Sequence, residues 1–267
     1  MSTAYRHIVK VTKSVRAQIG VIYALFIHDA LKRYGHESLG FFWVIVEPLL
    51  FTGGIMLLWN FVKEARGELS ITAFALTGYT MLTMFRHMSQ GFVHILRHNA
   101  GMMFHTQVKS LDILIARGLL ETVGCLGTFF VAYVPLSLLG VIRPFENPLI
   151  LFGAWYLGAW YSFSFGMIIE GLSEMNDVVE RVLPAVMYLT LPLTGAFTMQ
   201  AWLPEKLRNI LSYSPLVNAM EMYRCGMFGH EITTYWSLPY ILFWCLGQTV
   251  VGLLIIERAK EHIESIS

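Results

Sequence analysis

Apolar residues in this chain come in long blocks rather than in short alternations. Four runs carry no formal charge: Thr122 to Ile142, Asn147 to Ile169, Val182 to Pro204 and Ile232 to Ile256. A helix that crosses a bilayer needs about 20 apolar residues. Two further segments, Phe41 to Val62 and Ile71 to Val93, carry one charge each, Glu47 and Arg86. The pattern predicts an all-α polytopic membrane protein with six transmembrane helices, near 41–62, 71–93, 111–140, 148–172, 181–200 and 237–257. Pro135, Pro184, Pro192 and Pro239 fall within these segments. Membrane helices tolerate proline because neighbouring groups satisfy the freed backbone.

The segments between and around the spans have patterns of their own. Over 1–36, Lys10, Lys13 and Arg16 mark a polar side, while Ile19, Ile22, Tyr23, Phe26 and Ile27 mark an apolar one. That is an amphipathic interfacial helix. Its apolar stretch is too short to span and no small-residue cleavage site follows it, so a signal peptide is not expected. The largest non-spanning piece is 201–236. Pro204 precedes Leu207, Ile210 and Leu211 on one face, and Ser214-Pro215 reads as the cap and first residue of a second short helix reaching Gly226. Two short helices before the last span predict a re-entrant extracytoplasmic hairpin. No internal repeat, low-complexity tract or second domain stands out.

Composition supports the membrane reading. Of 267 residues, 55% are hydrophobic and 14% charged, against roughly one quarter charged in an average soluble domain. Mean hydropathy is +0.56. The net charge of +1 provides no polybasic field for nucleic acid. Cys125, Cys225 and Cys245 form no CxxC spacing and suggest neither a disulfide framework nor a zinc cluster. With the N-terminus inside, the cytoplasmic segments hold eleven Lys and Arg against six outside. The excess predicts cytoplasmic N- and C-termini.

Soluble catalytic signatures are missing. The chain has no GxxxxGK[ST] with which to cradle ATP phosphates, no GxGxxG, no HExxH and no GxSxG. His94 and His98 are four apart with His105 beyond, a spacing that fits a structural role on a connector better than a metal site. No carboxylate pair is set up for glycoside hydrolysis.

Charge at membrane depth is the feature that calls for explanation, because each such residue costs about 2.5–3.5 kcal/mol on insertion scales. Glu47 and Arg86 sit at similar depth and could pair; Arg117 and Glu121 are i,i+4; Glu170 lies near the inner end of the fourth span. These groups either hold the bundle together or line a polar conduit. Helical spacing adds two stripes: Tyr79, Thr83, Arg86 and Gln90 on the second span, and Trp43, Glu47, Phe51 and Gly54 on the first. Mixed aromatic and polar stripes suit a surface that slides past sugars, and also suit ordinary packing with interfacial aromatics. Tyr188 on the fifth span could line a pore or belong to the core.

A succession of short motifs then resembles a known family, the ABC-2 type exporter permeases. Leu31-Lys32-Arg33-Tyr34, Leu39-Gly40-Phe41-Phe42-Trp43 and Glu47-Pro48-Leu49-Leu50 are similar to the segment with which that family begins. Leu76-Thr77-Gly78-Tyr79, His98-Asn99-Ala100-Gly101-Met102, and Ser214-Pro215-Leu216 with Tyr223-Arg224 follow in the family's order along nearly the whole chain. The compact length and the run Pro192 to Thr198 resemble most the capsular polysaccharide permeases of Gram-negative bacteria, the KpsM/BexB/CtrC group. Ser214-Pro215 stands where many O-antigen and teichoic acid relatives have Asn-Pro, and Glu174 to Asp177 where they often carry Arg-Asp. An O-antigen or teichoic-acid type permease is the alternative within the family.

The resemblance implies one half of the membrane domain of an ATP-driven exporter in the bacterial inner membrane. Two copies would form a homodimer, two separate ABC ATPase subunits would carry ATP and Mg²⁺, and no cofactor would reside in this chain. The substrate would be lipid-linked capsular polysaccharide, passed to a periplasmic polysaccharide co-polymerase and an outer-membrane export protein. Within that frame the conduit candidates are Trp43, Glu47, Tyr79, Arg86 and Tyr188. The ATPase-coupling candidates are Arg33 and Tyr34 at the end of the interfacial helix, with Arg97, His98, Asn99, Met102, Met103 and Phe104 on the connector after the second span. Trp202, Glu221 and Arg224 would shape the periplasmic exit. Two readings of another class compete. One is a secondary transporter, against which the absence of inverted repeats speaks. The other is a membrane-embedded transferase, for which Glu47, Glu170 and the connector histidines are the only candidates.

Overall fold

The computed structural model describes residues 3–34, 50, 54, 70–103 and 108–266, with side chains described for 15–32, 50, 54, 70–103 and 108–259. Every regular element among them is helical. In chain order these are α1 (Thr3–Tyr34), α2 (Ile71–Gly91), the single turns α3 (Ile95–His98) and α4 (Ala100–Met103), and α5 (Ser110–Leu138). Then come α6 (Pro148–Met175), α7 (Val178–Leu189), α8 (Glu205–Leu211), α9 (Pro215–Phe228) and α10 (Leu238–Ile266), with 3₁₀ turns at Leu191–Thr194, Gln200–Trp202 and Gly229–Glu231.

Local chemistry sets the helix starts. Ser70 Oγ accepts the Ala73 N–H at 3.3 Å, Asn147 Oδ1 accepts the Ile150 N–H at 3.2 Å, and Ser214 Oγ accepts that of Val217 at 3.5 Å. Each satisfies one of the donors that a helix leaves free at its N-terminus. Pro148 and Pro215 occupy first-turn positions, where the missing N–H costs nothing. At the start of α5, Asp112 accepts the Lys109 N–H at 2.8 Å and is also bonded by Gln18 of α1. That tie seats the interfacial helix on α5.

α6 is the central helix. It packs along α10, α9 and α2, while α5 packs on α2 and α1. Its inward face is a ladder of buried residues, among them Leu151, Trp155, Ala159, Ser162 and Met167. Close approach is built in at two places. A Cβ on Gly226 would land on the backbone of Leu151, and one on Gly78 would land on the carbonyl of Ala196. The outward faces stay apolar: Leu119, Val123, Val131 and Val134 on α5, and Phe243, Leu246, Val250 and Leu254 on α10, are exposed. Apolar surface of that extent fits hydrocarbon rather than water.

Among the described residues two helices are long and apolar enough to cross a membrane, Ser110–Leu138 and Leu238–Ala259. α2 and α6, at 21 and 28 residues, reach roughly 30 and 40 Å at 1.5 Å per residue. The fifth segment differs from the expectation of helix over 181–200. Its helix ends at Leu189, and a 3₁₀ turn containing Pro192 leads to Gly195 at φ +77°. Proline removes a backbone donor, and a glycine in the left-handed region ends the run. The charge-free pattern shows neither effect. The segment expected to span 41–62 lies outside the described residues except at positions 50 and 54.

Candidate functional site

Three layers of polar side chains lie along the bundle. The innermost surrounds the connector after α2. α2 ends at Gly91, and the chain turns through His94, whose φ of +52° is the only left-handed value among described non-glycine residues. The four N–H groups that follow are all received by one face of α6. His94 donates to Ser173 Oγ at 3.1 Å, Ile95 to Glu170 Oε2 at 2.9 Å, Leu96 to Glu170 Oε1 at 3.0 Å, and Arg97 to Glu174 Oε1 at 3.3 Å. Residues 170, 173 and 174 fall at i, i+3 and i+4, so they share that face, and Asp177 lies just past the helix end.

Side chains complete the layer. The Arg97 guanidinium donates to Glu174 at 3.1 Å and to Asp177 at 3.4 Å. Burial alone would lower its pKa, but the attraction and hydrogen bonds of Glu174 and Asp177 together outweigh this and raise it. The His94 ring is buried, 3.6 Å from Glu174, 3.7 Å from Asp177 and 3.5 Å from Glu180. The connector's own helical turns are held by His98 and Asn99, which bond the carbonyls of His94 and Ile95 at 2.6 and 2.8 Å. Arg97 and His98 are exposed, Asn99 and Met102 half-buried. Met103 packs inward on the cluster of Phe92, Leu96, Ile113 and Leu114 rather than outward. A polar cavity of about 430 Å³ separates α1 from the connector, lined by Asp29, Lys32, Gly91, His98, Asn99 and Arg117. The ends of α1 and the connector thus face a common space. Arg33 and Tyr34 end α1, but their side chains lie outside the described residues, as does Phe104.

The middle layer lies between α2, α5 and α7. The Arg86 guanidinium sits over the Tyr188 ring, 5.0 Å from its centroid, and joins two of the residues that the sequence singles out for the conduit. Tyr188 is 60% exposed, so the pair borders the surface of the protomer. Tyr79 is half-buried on the same helix as Arg86. Trp43 and Glu47 lie outside the described residues. Arg117 pairs with Glu121 at 3.1 Å, and His87 reaches Glu121 at 3.3 Å. His87, Glu121 and Cys125 could offer three ligand atoms within 4.8 Å of one another. The guanidinium already on Glu121 makes an ion-pair network the better account of this group.

The outer layer is organised by α9, whose Asn218, Glu221 and Arg224 recur every three residues. Arg224 is fully buried. It donates to the carbonyls of Gly195, Thr198 and Ala196 at 2.8, 2.9 and 2.9 Å, and lies 4.3 Å from the Phe74 ring centroid. Glu221 accepts the N–H groups of Gln200 and Tyr235, both at 3.2 Å. Asn218 donates to Ser212 O at 2.7 Å and Ser214 O at 3.1 Å, and accepts from the Ser237 N–H at 3.2 Å. Glu221 and Arg224 approach only to 3.8 Å. Their main partners are backbone groups of flanking loops, so mutual bracing of the two charges is secondary. Trp202, half-buried, packs on Phe74 with the rings tilted and their centroids 4.8 Å apart. The spacing of Asn218, Glu221 and Arg224 is visible in the sequence, but their loop partners are not.

Known proteins resemble the chain over its whole length, although no family model matches it. It is 31% identical over 253 residues to the capsule polysaccharide export inner-membrane protein BexB of Haemophilus influenzae, covering 94% of this chain and 96% of that one. Identity to the capsule polysaccharide export inner-membrane protein CtrC of Neisseria meningitidis serogroup B is 32%, with the same coverage. The polysialic acid transport protein KpsM of Escherichia coli is 25% identical over 241 residues, 89% of this chain and 93% of the relative. Similarity of this degree across nearly the full length of both partners places the chain in the family of capsule polysaccharide export inner-membrane proteins, the capsular group of the ABC-2 type permeases.

Proposed function

We propose that this chain is the membrane subunit of an ATP-driven exporter that carries lipid-linked capsular polysaccharide across the bacterial inner membrane. The observation that carries the proposal is the end-to-end similarity to capsule export proteins. Six spans place both termini in the cytoplasm. Two copies pair as a homodimer, and two ABC ATPase subunits bind beneath them and hold the ATP and Mg²⁺ that this chain has no phosphate loop to bind. A periplasmic co-polymerase and an outer-membrane export protein receive the polymer.

The residues divide the work by layer. Arg97 and His98, exposed beside the end of α1, form the docking surface for the ATPase with Arg33, Tyr34, Asn99 and Met102. Met103 supports that surface from the side of the chain itself, and Phe104 is a further coupling candidate. Arg86, stacked on Tyr188, offers a cation and an aromatic face to an anionic glycan. Tyr79, Trp43 and Glu47 belong to the same conduit. Arg224 and Glu221 shape the exit indirectly, by fixing the backbone of 195–200 and Tyr235, with Trp202 alongside. A capsulated strain lacking this chain tests the reading. Polymer should accumulate inside the cell and return to the surface on complementation; unchanged surface polymer would refute it.

A further inference from the structure

We infer that Glu170 is a positioning residue that makes the connector and α6 move as one body. The inference rests on the exporter reading above and names the joint through which its force is transmitted. α3 is a single turn, too short to be stable by itself. Of its leading N–H groups that of Ile95 also reaches a backbone acceptor, Phe92 O at 3.1 Å, and those of Leu96 and Arg97 depend on α6. Glu170 takes two of them with its two oxygens, and Ser173 and Glu174 take the N–H groups on either side. The Glu170 side chain is fully buried. No Lys, Arg or His forms a salt bridge with it among the described residues. Both of its oxygens are met by backbone N–H groups of the connector.

That arrangement is directional. Bonds from two successive N–H groups to the two oxygens of one carboxyl persist only while the connector keeps its orientation on α6. His94, held in the left-handed region beside them, marks a turn that its surroundings over-determine, as switch regions do. Sliding of the connector would strip a buried carboxylate of its partners, so a push on Arg97 or His98 displaces α6 instead. α6 packs along α10 and α9, and α9 holds the outer loops through Arg224. A fold-only role would stabilise the connector without linking its motion to export.

Glu170→Gln separates the two. It keeps the shape and one acceptor oxygen but turns an NH₂ group toward an N–H donor. The full-length chain is reconstituted with its ATPase in proteoliposomes. Three quantities are read: ATPase association, polymer moved per ATP hydrolysed, and amide hydrogen exchange at 94–97. We expect association within twofold of wild type, exchange at Ile95 and Leu96 at least tenfold faster, and polymer moved per ATP at least tenfold lower. Ser173→Ala, which loses the His94 bond and the hydroxyl's own bond to the Glu170 carbonyl but leaves the Glu170 carboxyl in place, should lower polymer per ATP about threefold and carries the test if Glu170→Gln does not fold. Polymer per ATP equal to wild type in the variants that fold overturns the inference. So does a fall in association and thermal midpoint with that ratio intact. A wild-type chain that recruits no ATPase would instead overturn the exporter reading and this role with it, and the wild-type control tells the two failures apart.

Discussion

Arg224 is the residue on which the outer half of the molecule depends. Its three hydrogen bonds to Gly195, Ala196 and Thr198 fix a loop that has no helix of its own. Arg224→Met would leave three carbonyls short of a donor in a buried setting. The cost should be about 3–5 kcal/mol, the range for removing one partner of a buried charged contact. Thermal unfolding of the purified chain should show a midpoint several degrees lower. Arg224→Lys should recover less than half of the loss, because an ammonium cannot reproduce the planar fork. Gly226 makes a second residue-scale prediction. Alanine there would place a methyl group on the Leu151 backbone, beside the bond from the Asn147 N–H to Gly226 O at 2.9 Å. Overpacking of this kind costs about 1–3 kcal/mol, which the same unfolding measurement reads. The Ser214-Pro215 helix start was legible in the chain, since a cap and its proline are neighbours. The partners of Arg224 lie 26–29 residues away, on a loop whose course no local pattern fixes.

Among the elements, the connector shows what spacing reveals and what it hides. Its position between two apolar blocks is plain from the sequence. Which of its side chains face outward is not, because α3 and α4 are single turns with no sustained period. Arg97 and Met103 make the distinction testable. Arg97 is half exposed, and of its two acidic partners Asp177 is exposed while Glu174 is buried, so Arg97→Glu should cost more than the roughly 1 kcal/mol of a surface pair. In the folded fraction it should weaken ATPase association by an order of magnitude in pull-downs. Met103→Glu should act through stability alone: a carboxylate set against Phe92 and Leu96 lowers the thermal midpoint before docking is tested. The polar face at Glu170, Ser173 and Glu174 could have been read from its helical spacing, but its partners are backbone N–H groups more than 70 residues earlier. The fifth apolar run misleads for a different reason. It is free of charge, yet Pro192 and Gly195 stop its helix.

For the whole molecule, the fold class follows from the apolar blocks, while the layering of polar groups becomes visible only when α2, α5, α6 and α9 come together. The inner layer ties the connector to α6, the middle layer sets Arg86 on Tyr188, and the outer layer hangs the loops on α9. If the middle layer meets the polymer, Arg86→Ala should leave expression and ATPase association unchanged and reduce surface polymer at least fivefold by capsule immunoassay. Normal export would remove Arg86 from the conduit. The central claim is that this chain is one half of an ATP-driven exporter, and the most direct measurement is reconstitution with an ABC ATPase from the same bacterium in lipid nanodiscs, followed by native mass spectrometry and an ATP hydrolysis assay. The account predicts a complex of two copies of each chain, with hydrolysis raised over that of the ATPase alone. A chain that forms no such complex and leaves hydrolysis unchanged would contradict it.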